Sequence, residues 1–186
     1  MDREILRQII HASGIFILIL GIFLKPEILI LLCIIMVIFV EILFVLDKTH
    51  HIPFFSKILS TCKRTDDEKG FLFFFIGIIA TLYIFSFNMA IANSAILLLL
   101  IGDSASTLVG RRWGNRKLPF NNLKSFEGTL AFFVVGILCL ITQLPIVPAF
   151  FGALIGAITE AYSPIDDNIP IPIISALAMT LAMYLI

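Results

Sequence analysis

The sequence predicts an all-α fold, a polytopic membrane bundle of about seven helices, and three observations predict it. The 186-residue chain is 60% hydrophobic with 18 Phe and only 14% charged residues. Its mean hydropathy is +1.07. Its apolar runs approach the ~20 residues that cross a hydrocarbon core as a helix. Only helices let such runs satisfy their own backbone hydrogen bonds in lipid, so this reading excludes a soluble fold. The expected spans are Ile9–Leu24, Ile28–Leu46, Phe71–Phe87, Ile91–Val109, Gly128–Leu144, Val147–Tyr162 and Ile169–Ile186, within one domain over residues 1–186.

The first span follows MDREILRQIIHASG, which mixes acids with bases and is followed by no small-residue cleavage site, so it reads as a retained helix rather than a signal peptide. The second carries a single acid, Glu41. The fourth carries Asp103. The fifth begins behind Lys124-Ser125-Phe126-Glu127-Gly128, where Ser125 reads as the N-cap and Glu127 lies in the first turn. The seventh begins behind Asp166-Asp167-Asn168, with Asn168 as its expected cap and Pro170 and Pro172 in or near its first turn. Cys33, Cys62 and Cys139 form no even-numbered framework and read as packing or surface residues. No internal repeat is visible.

Orientation follows from the cations. Arg3 and Arg7 precede the first span, Lys48, Lys57, Lys63, Arg64 and Lys69 follow the second, and Arg111, Arg112, Arg116, Lys117 and Lys124 follow the fourth. Only Lys25 falls on the other side. The positive-inside bias therefore places the N-terminus and these loops in the cytoplasm, an asymmetry hidden by the formal net charge of zero.

Residues 101–128, IGDSASTLVGRRWGNRKLPFNNLKSFEG, are too polar for this chain unless they have a task. Asp103 lies roughly 10 Å inside its helix end at 1.5 Å per residue. A carboxylate there costs on the order of 2.5–3.5 kcal/mol. Ser106 and Thr107 share its helix face, and Gly102, Gly110, Gly114 and Gly128 permit close backbone approach or left-handed turns. The helix start at Ser125 offers free N–H groups and a positive dipole end beside Lys124, which suits phosphate. Asp166 and Asp167 arrive on the same face. Carboxylates near hydroxyls and cations suit Mg²⁺ completed by water and substrate phosphate, so the residues point to a metal and polyphosphate site facing the cytosol. No Walker loop, kinase Gly-rich loop or zinc spacing occurs, and no nucleic-acid partner is expected. Trp113 reads as an interfacial anchor of the loop.

Taken in order, Gly102-Asp103-Ser104-Ala105-Ser106, Gly110-Arg111-Arg112 and Lys124-Ser125-Phe126-Glu127-Gly128-Thr129 resemble the signature of the CTP-dependent lipid-alcohol kinases. That family includes dolichol and polyprenol kinases, phytol kinases and CTP-dependent diacylglycerol kinases. Arg7-Gln8-Ile9-Ile10-His11 is similar to its amino-terminal Arg-Lys-x-x-His element with Gln for Lys, and Glu41 matches the acid of its second span. Arg64 with Glu68 resembles its Arg-x-x-x-Glu, and Glu160-Ala161 with Asp166-Asp167-Asn168-Ile169-Pro170-Ile171-Pro172 resembles its closing pattern. The resemblance implies CTP as phosphoryl donor, a membrane lipid alcohol as acceptor (dolichol, polyprenol or another isoprenoid alcohol favoured, diacylglycerol next) and Mg²⁺. Asp103, Lys124 and Asp167 are then the expected catalytic residues. Asp103 and Asp167 hold the metal, or one of them accepts the alcohol's proton. Gly102, Ser106, Gly110, Arg111, Arg112, Lys124, Ser125, Glu127, Gly128 and Asn168 are expected around the nucleotide phosphates. His11, Glu41, Arg64, Glu68, Glu160 and Asp166 follow, with His11, Glu41 and Glu160 equally open to structural roles. The alternatives are a lipid cytidylyltransferase, whose Pro-Gly-His-Gly-Gly segment is absent, and a small membrane transporter.

Overall fold

A computed structural model describes the backbone of residues 3–50 and 70–185, and the side chains of 7–46 and 70–185. In chain order the helices are α1 (Arg3–Ala12), α2 (Ile15–Gly21), α3 (Pro26–His50), α4 (Gly70–Ile84), α5 (Met89–Leu97) and α6 (Asp103–Trp113), then α7 (Phe126–Leu140), α8 (Ile146–Tyr162) and α9 (Pro170–Met183). A π-helical turn, Leu98–Gly102, joins α5 to α6 without a break. Each expected span therefore contains a helix. Among the described residues, only two stretches, Pro26–Leu46 and Met89–Trp113, are long and apolar enough to cross a membrane. The helices in the other five places are shorter than a comfortable span.

The all-α expectation gives way at one place. Lys117–Leu118 (β1) and Asn121–Ser125 (β2) form a two-stranded antiparallel sheet, pairing Lys117 with Ser125 and Leu118 with Asn121 around an irregular register. The turn between them is Pro119-Phe120, and Phe120 takes φ 69°, the left-handed region where a bulky side chain is rarely found. No described glycine has positive φ, so close approach, not left-handed turning, is what the glycines of this region provide.

Large aliphatic and aromatic side chains fill the core, and small residues line the seam where α8 meets its neighbours. Ala149, Gly152, Ala153, Gly156 and Ala157 recur at helical spacing on one buried face of α8, against α7 and α9. Small residues let helix backbones approach closely. At Gly156 a Cβ would stand 2.7 Å from Ser175 Oγ and 3.1 Å from Phe132. Glu160 continues that same face, one turn beyond Gly156, so the register that packs the core also carries a carboxylate to its end.

Candidate functional site

Asp103 opens α6 directly after the π-helical turn. π-turns displace the hydrogen-bond register and recur at functional sites. Here Asp103 N–H reaches back to Leu98 O, while His11 Nε2 lies 3.0 Å from Leu99 O and Ser104 Oγ donates to Leu100 O at 2.7 Å. The N-terminal helix thereby helps satisfy the irregular turn. His11 Nε2 also lies 3.8 Å from Asp103 Oδ2, and its ring packs on Phe74.

One turn along α6, Ser106 donates to Glu160 Oε1 at 2.7 Å. Lys124, from β2, donates to the same oxygen at 2.5 Å and to Asp167 Oδ2 at 2.8 Å. Thr129 Oγ1 approaches Glu160 Oε2 at 3.5 Å. The Glu160 side chain is fully enclosed. Oxygens of Asp103, Glu160 and Asp167 all lie within 4.8 Å of one another. The start of α6, strand β2, the end of α8 and the loop before α9 thus deliver three carboxylates and one ammonium to one point. Burial alone would pull the Lys124 ammonium down, yet the carboxylates of Asp167, Asp103 and Glu160 outweigh it and hold it above the usual lysine range.

Two local devices place Lys124. Ser125, extended at φ −131° and ψ 152°, accepts from Gly128 N–H at 3.2 Å and caps α7 as its sequence suggests. Gly128 sits where a Cβ would meet Ser106 O at 2.9 Å and Gly110 Cα at 3.2 Å, so α6 and α7 touch backbone to backbone beside the cluster. Glu127 points the other way: its carboxylate accepts from Arg116 N–H at 3.2 and 3.3 Å and closes the loop before the hairpin. The hydrogen bond from its own backbone N–H, followed by those from Arg116 and Asn115, holds that carboxyl below the usual range.

The Asp-Asn loop is set by α4. A Cβ on Gly77 would stand 2.1 Å from Asn168 O, so only glycine admits the loop there. Asn168 is not the cap of α9, contrary to expectation. Its Nδ2 donates to Asp166 Oδ1 at 2.7 Å, Ile169 occupies the cap position, and Ile171 N–H bonds Asp167 O at 3.1 Å. Pro170 and Pro172 have no N–H to cap.

The remaining expected residues divide by position. Gly102 is buried against Phe132, while Arg111 and Arg112 are exposed beyond the cluster, with Arg112 over the Trp113 ring at 5.4 Å. Glu41 is exposed on α3 outside the cluster. Arg64 and Glu68 lie outside the described residues. Glu160, the least emphasised of the acids in the sequence, is the one at the centre. Its register with Gly152, Ala153 and Gly156 is the signal that finds it.

This arrangement defines a class: a helical, lipid-compatible protein with a buried acid and lysine cluster at the capped start of a helix. Comparison with known proteins narrows it. An uncharacterized protein of Methanocaldococcus jannaschii is 36% identical, covering 94% of this chain and 91% of that protein. CTP-dependent diacylglycerol kinase 1 of Schizosaccharomyces pombe is 26% identical over 69% of this chain and 68% of its own length. The chloroplastic farnesol kinase of Arabidopsis thaliana is 30% identical over 62% of this chain, which spans 43% of that kinase. No family model and no solved structure matches. The named relatives are thus kinases of lipid alcohols, and the chain is their homologue at 26–31% identity.

Proposed function

We propose that the protein transfers the γ-phosphoryl group of CTP to the hydroxyl of a membrane lipid alcohol, giving the lipid monophosphate and CDP. The observation that carries this reading is Lys124, held between Glu160 and Asp167, beside Asp103 and at the capped N-terminus of α7. Phosphoryl transfer asks chiefly for positioning and charge neutralisation. The donor set fits Mg²⁺: three carboxylates converge, and Glu160 already accepts from Ser106 and Lys124, which favours Asp103 and Asp167 as the ligands. The ion would offset charge on the transferring phosphoryl group. Lys124, with the amides of the Ser125–Gly128 turn, would bind phosphate oxygens, and Arg111 and Arg112 would meet the outer part of the triphosphate. As the alcohol oxygen forms its bond to phosphorus and the bond to CDP breaks, the hydroxyl proton passes to whichever of Asp103 and Asp167 does not hold the ion.

The protein acts, in this reading, as a single domain spanning the bilayer with all seven helical units, its N-terminus and the Asp103, Lys124 and Asp167 loops facing the cytoplasm. Isoprenoid alcohols such as polyprenol and dolichol are the favoured acceptors. The test is purified protein in detergent with γ-labelled CTP, ATP or GTP and a panel of dolichol, polyprenol, phytol, geranylgeraniol and diacylglycerol. Labelled lipid monophosphate with release of CDP is the expected result. Pyrophosphate release with a CDP-lipid would replace the kinase reading by cytidylyl transfer.

A further inference from the structure

A cavity of about 600 Å³ lies between the α1–α2 segment, α3 and α4. Its walls are apolar over most of their extent. Leu29, Cys33 and Met36 recur along one face of α3, and Phe71, Phe74 and Phe75 face it from α4. One end is different in kind: His11, Asp103, Asp167 and Asn168 line it, and Asn168 Oδ1 is buried without a hydrogen-bond partner among the described residues. The cavity therefore ends on the same Asp103 and Asp167 that belong to the carboxylate cluster, reached from the side opposite Lys124's partner Glu160.

From this geometry we infer that the cavity is the acceptor subsite, and that it takes one prenyl or alkyl chain with its hydroxyl among His11, Asp103 and Asn168. The inference rests on the kinase reading for the fate of the hydroxyl, but not for occupancy of the cavity. An apolar body with a few convergent polar groups is what orients a ligand of this shape. Volume sets the class. At about 30 Å³ per methylene-sized group, the share a water molecule takes in its liquid, the cavity seats roughly twenty groups. That matches a geranylgeranyl or phytyl chain and falls well short of two fatty acyl chains. The lined face of α3, from Leu29 to Phe39, is roughly 15 Å long at 1.5 Å per residue, and α2 faces it across the cavity. A twenty-carbon isoprenoid alcohol fits whole, a polyprenol or dolichol seats its hydroxyl end and runs out past the exposed Phe39 side, and a diacylglycerol must leave one chain outside.

The test uses the full-length protein in liposomes, without nucleotide, and a geranylgeraniol analogue bearing a diazirine near its tail. Photolabel mapped by mass spectrometry is expected on the Leu29, Cys33 and Met36 face of α3 and on Phe71–Phe75 of α4. Geranylgeraniol at ten times its Kd should lower labelling about tenfold, whereas diacylglycerol at the same concentration should leave it unchanged. Cys33→Trp, which fills the apolar part of the cavity, should lose labelling and raise KM for geranylgeraniol more than it lowers kcat. Met36→Trp repeats the obstruction from the same wall if Cys33→Trp does not fold. Label spread over the outer face of α3, or equal competition by diacylglycerol, would overturn the assignment. Correct labelling in a protein that phosphorylates no alcohol would uphold the cavity and remove the kinase reading instead.

Discussion

Among the described residues two stretches are long and apolar enough to cross a membrane, yet Pro26–Leu46 is 11% buried inside the fold and Met89–Trp113 is 67% buried. The first is apolar nearly all round, and most of its side chains face outward from the molecule. The second is threaded through the helix core and carries Asp103, Ser104 and Ser106, all buried. Hydrophobicity tells a helix that it can meet lipid. It does not tell the helix where to sit; the polar residues do, because each needs partners that only the core supplies. The internal helix therefore gains its position from the groups that make it least suited to membrane.

The largest expected effect breaks that internal arrangement at its cation. In Lys124→Ala the enclosed Glu160 carboxylate and Asp167 lose their shared ammonium. Breaking a buried ion pair on one side costs about 3–5 kcal/mol, so thermal unfolding should move down sharply and phosphoryl transfer should vanish. Lys124→Arg keeps the charge with altered geometry and should retain part of both. Full stability in Lys124→Ala would show that the cluster does not hold the helix.

A smaller effect comes from packing. Gly156→Leu forces a side chain against Ser175 and Phe132 and should cost about 1–3 kcal/mol in denaturant unfolding. Ile34→Ala, on the exposed side of α3, should stay within about 0.5 kcal/mol. Equal costs at the two positions would erase the contrast between the helices.

The smallest effect concerns Glu127, whose folded carboxyl is held below the usual glutamate range by backbone N–H groups. A depressed acid contributes stability that is present above its unfolded pKa and is lost as pH falls through the lower folded value. Thermal unfolding of wild type and Glu127→Gln from about pH 6 to about pH 3 should therefore converge at the acid end. A gap that widens toward acid would reverse the sign and reject this hydrogen-bonded role.

The sequence makes Asp103, Ser106, Lys124, Ser125 and Asp167 visible because each interrupts an apolar pattern or caps a helix. The helical places were legible for the same reason, from periodic apolar runs. Glu160 was harder to rank, since its position depends on the packed face of α8, not on its neighbours in sequence. The hairpin escaped because its left-handed turn residue is Phe120, where Gly or Asn would have announced it. The π-helical turn escaped because its register is supported by His11 from a distant helix. Asn168 reads as a cap because the pattern Asn-x-Pro looks like a helix start, while Pro170 has no N–H to offer and Ile171 N–H goes to Asp167 O instead.

The central claim is that the charge of Asp103, as distinct from its polarity, serves phosphoryl transfer and not the fold, and Asp103→Asn separates the two. The change keeps shape and burial but removes the charge beside His11 and the cluster. Activity per folded molecule should be measured across a Mg²⁺ titration, with unfolding followed on the same preparation. The account predicts a variant at least as stable as wild type that has lost about two orders of magnitude or more in turnover, the scale of removing a preorganised electrostatic group. A stable variant with near wild-type turnover and unchanged Mg²⁺ dependence would contradict it.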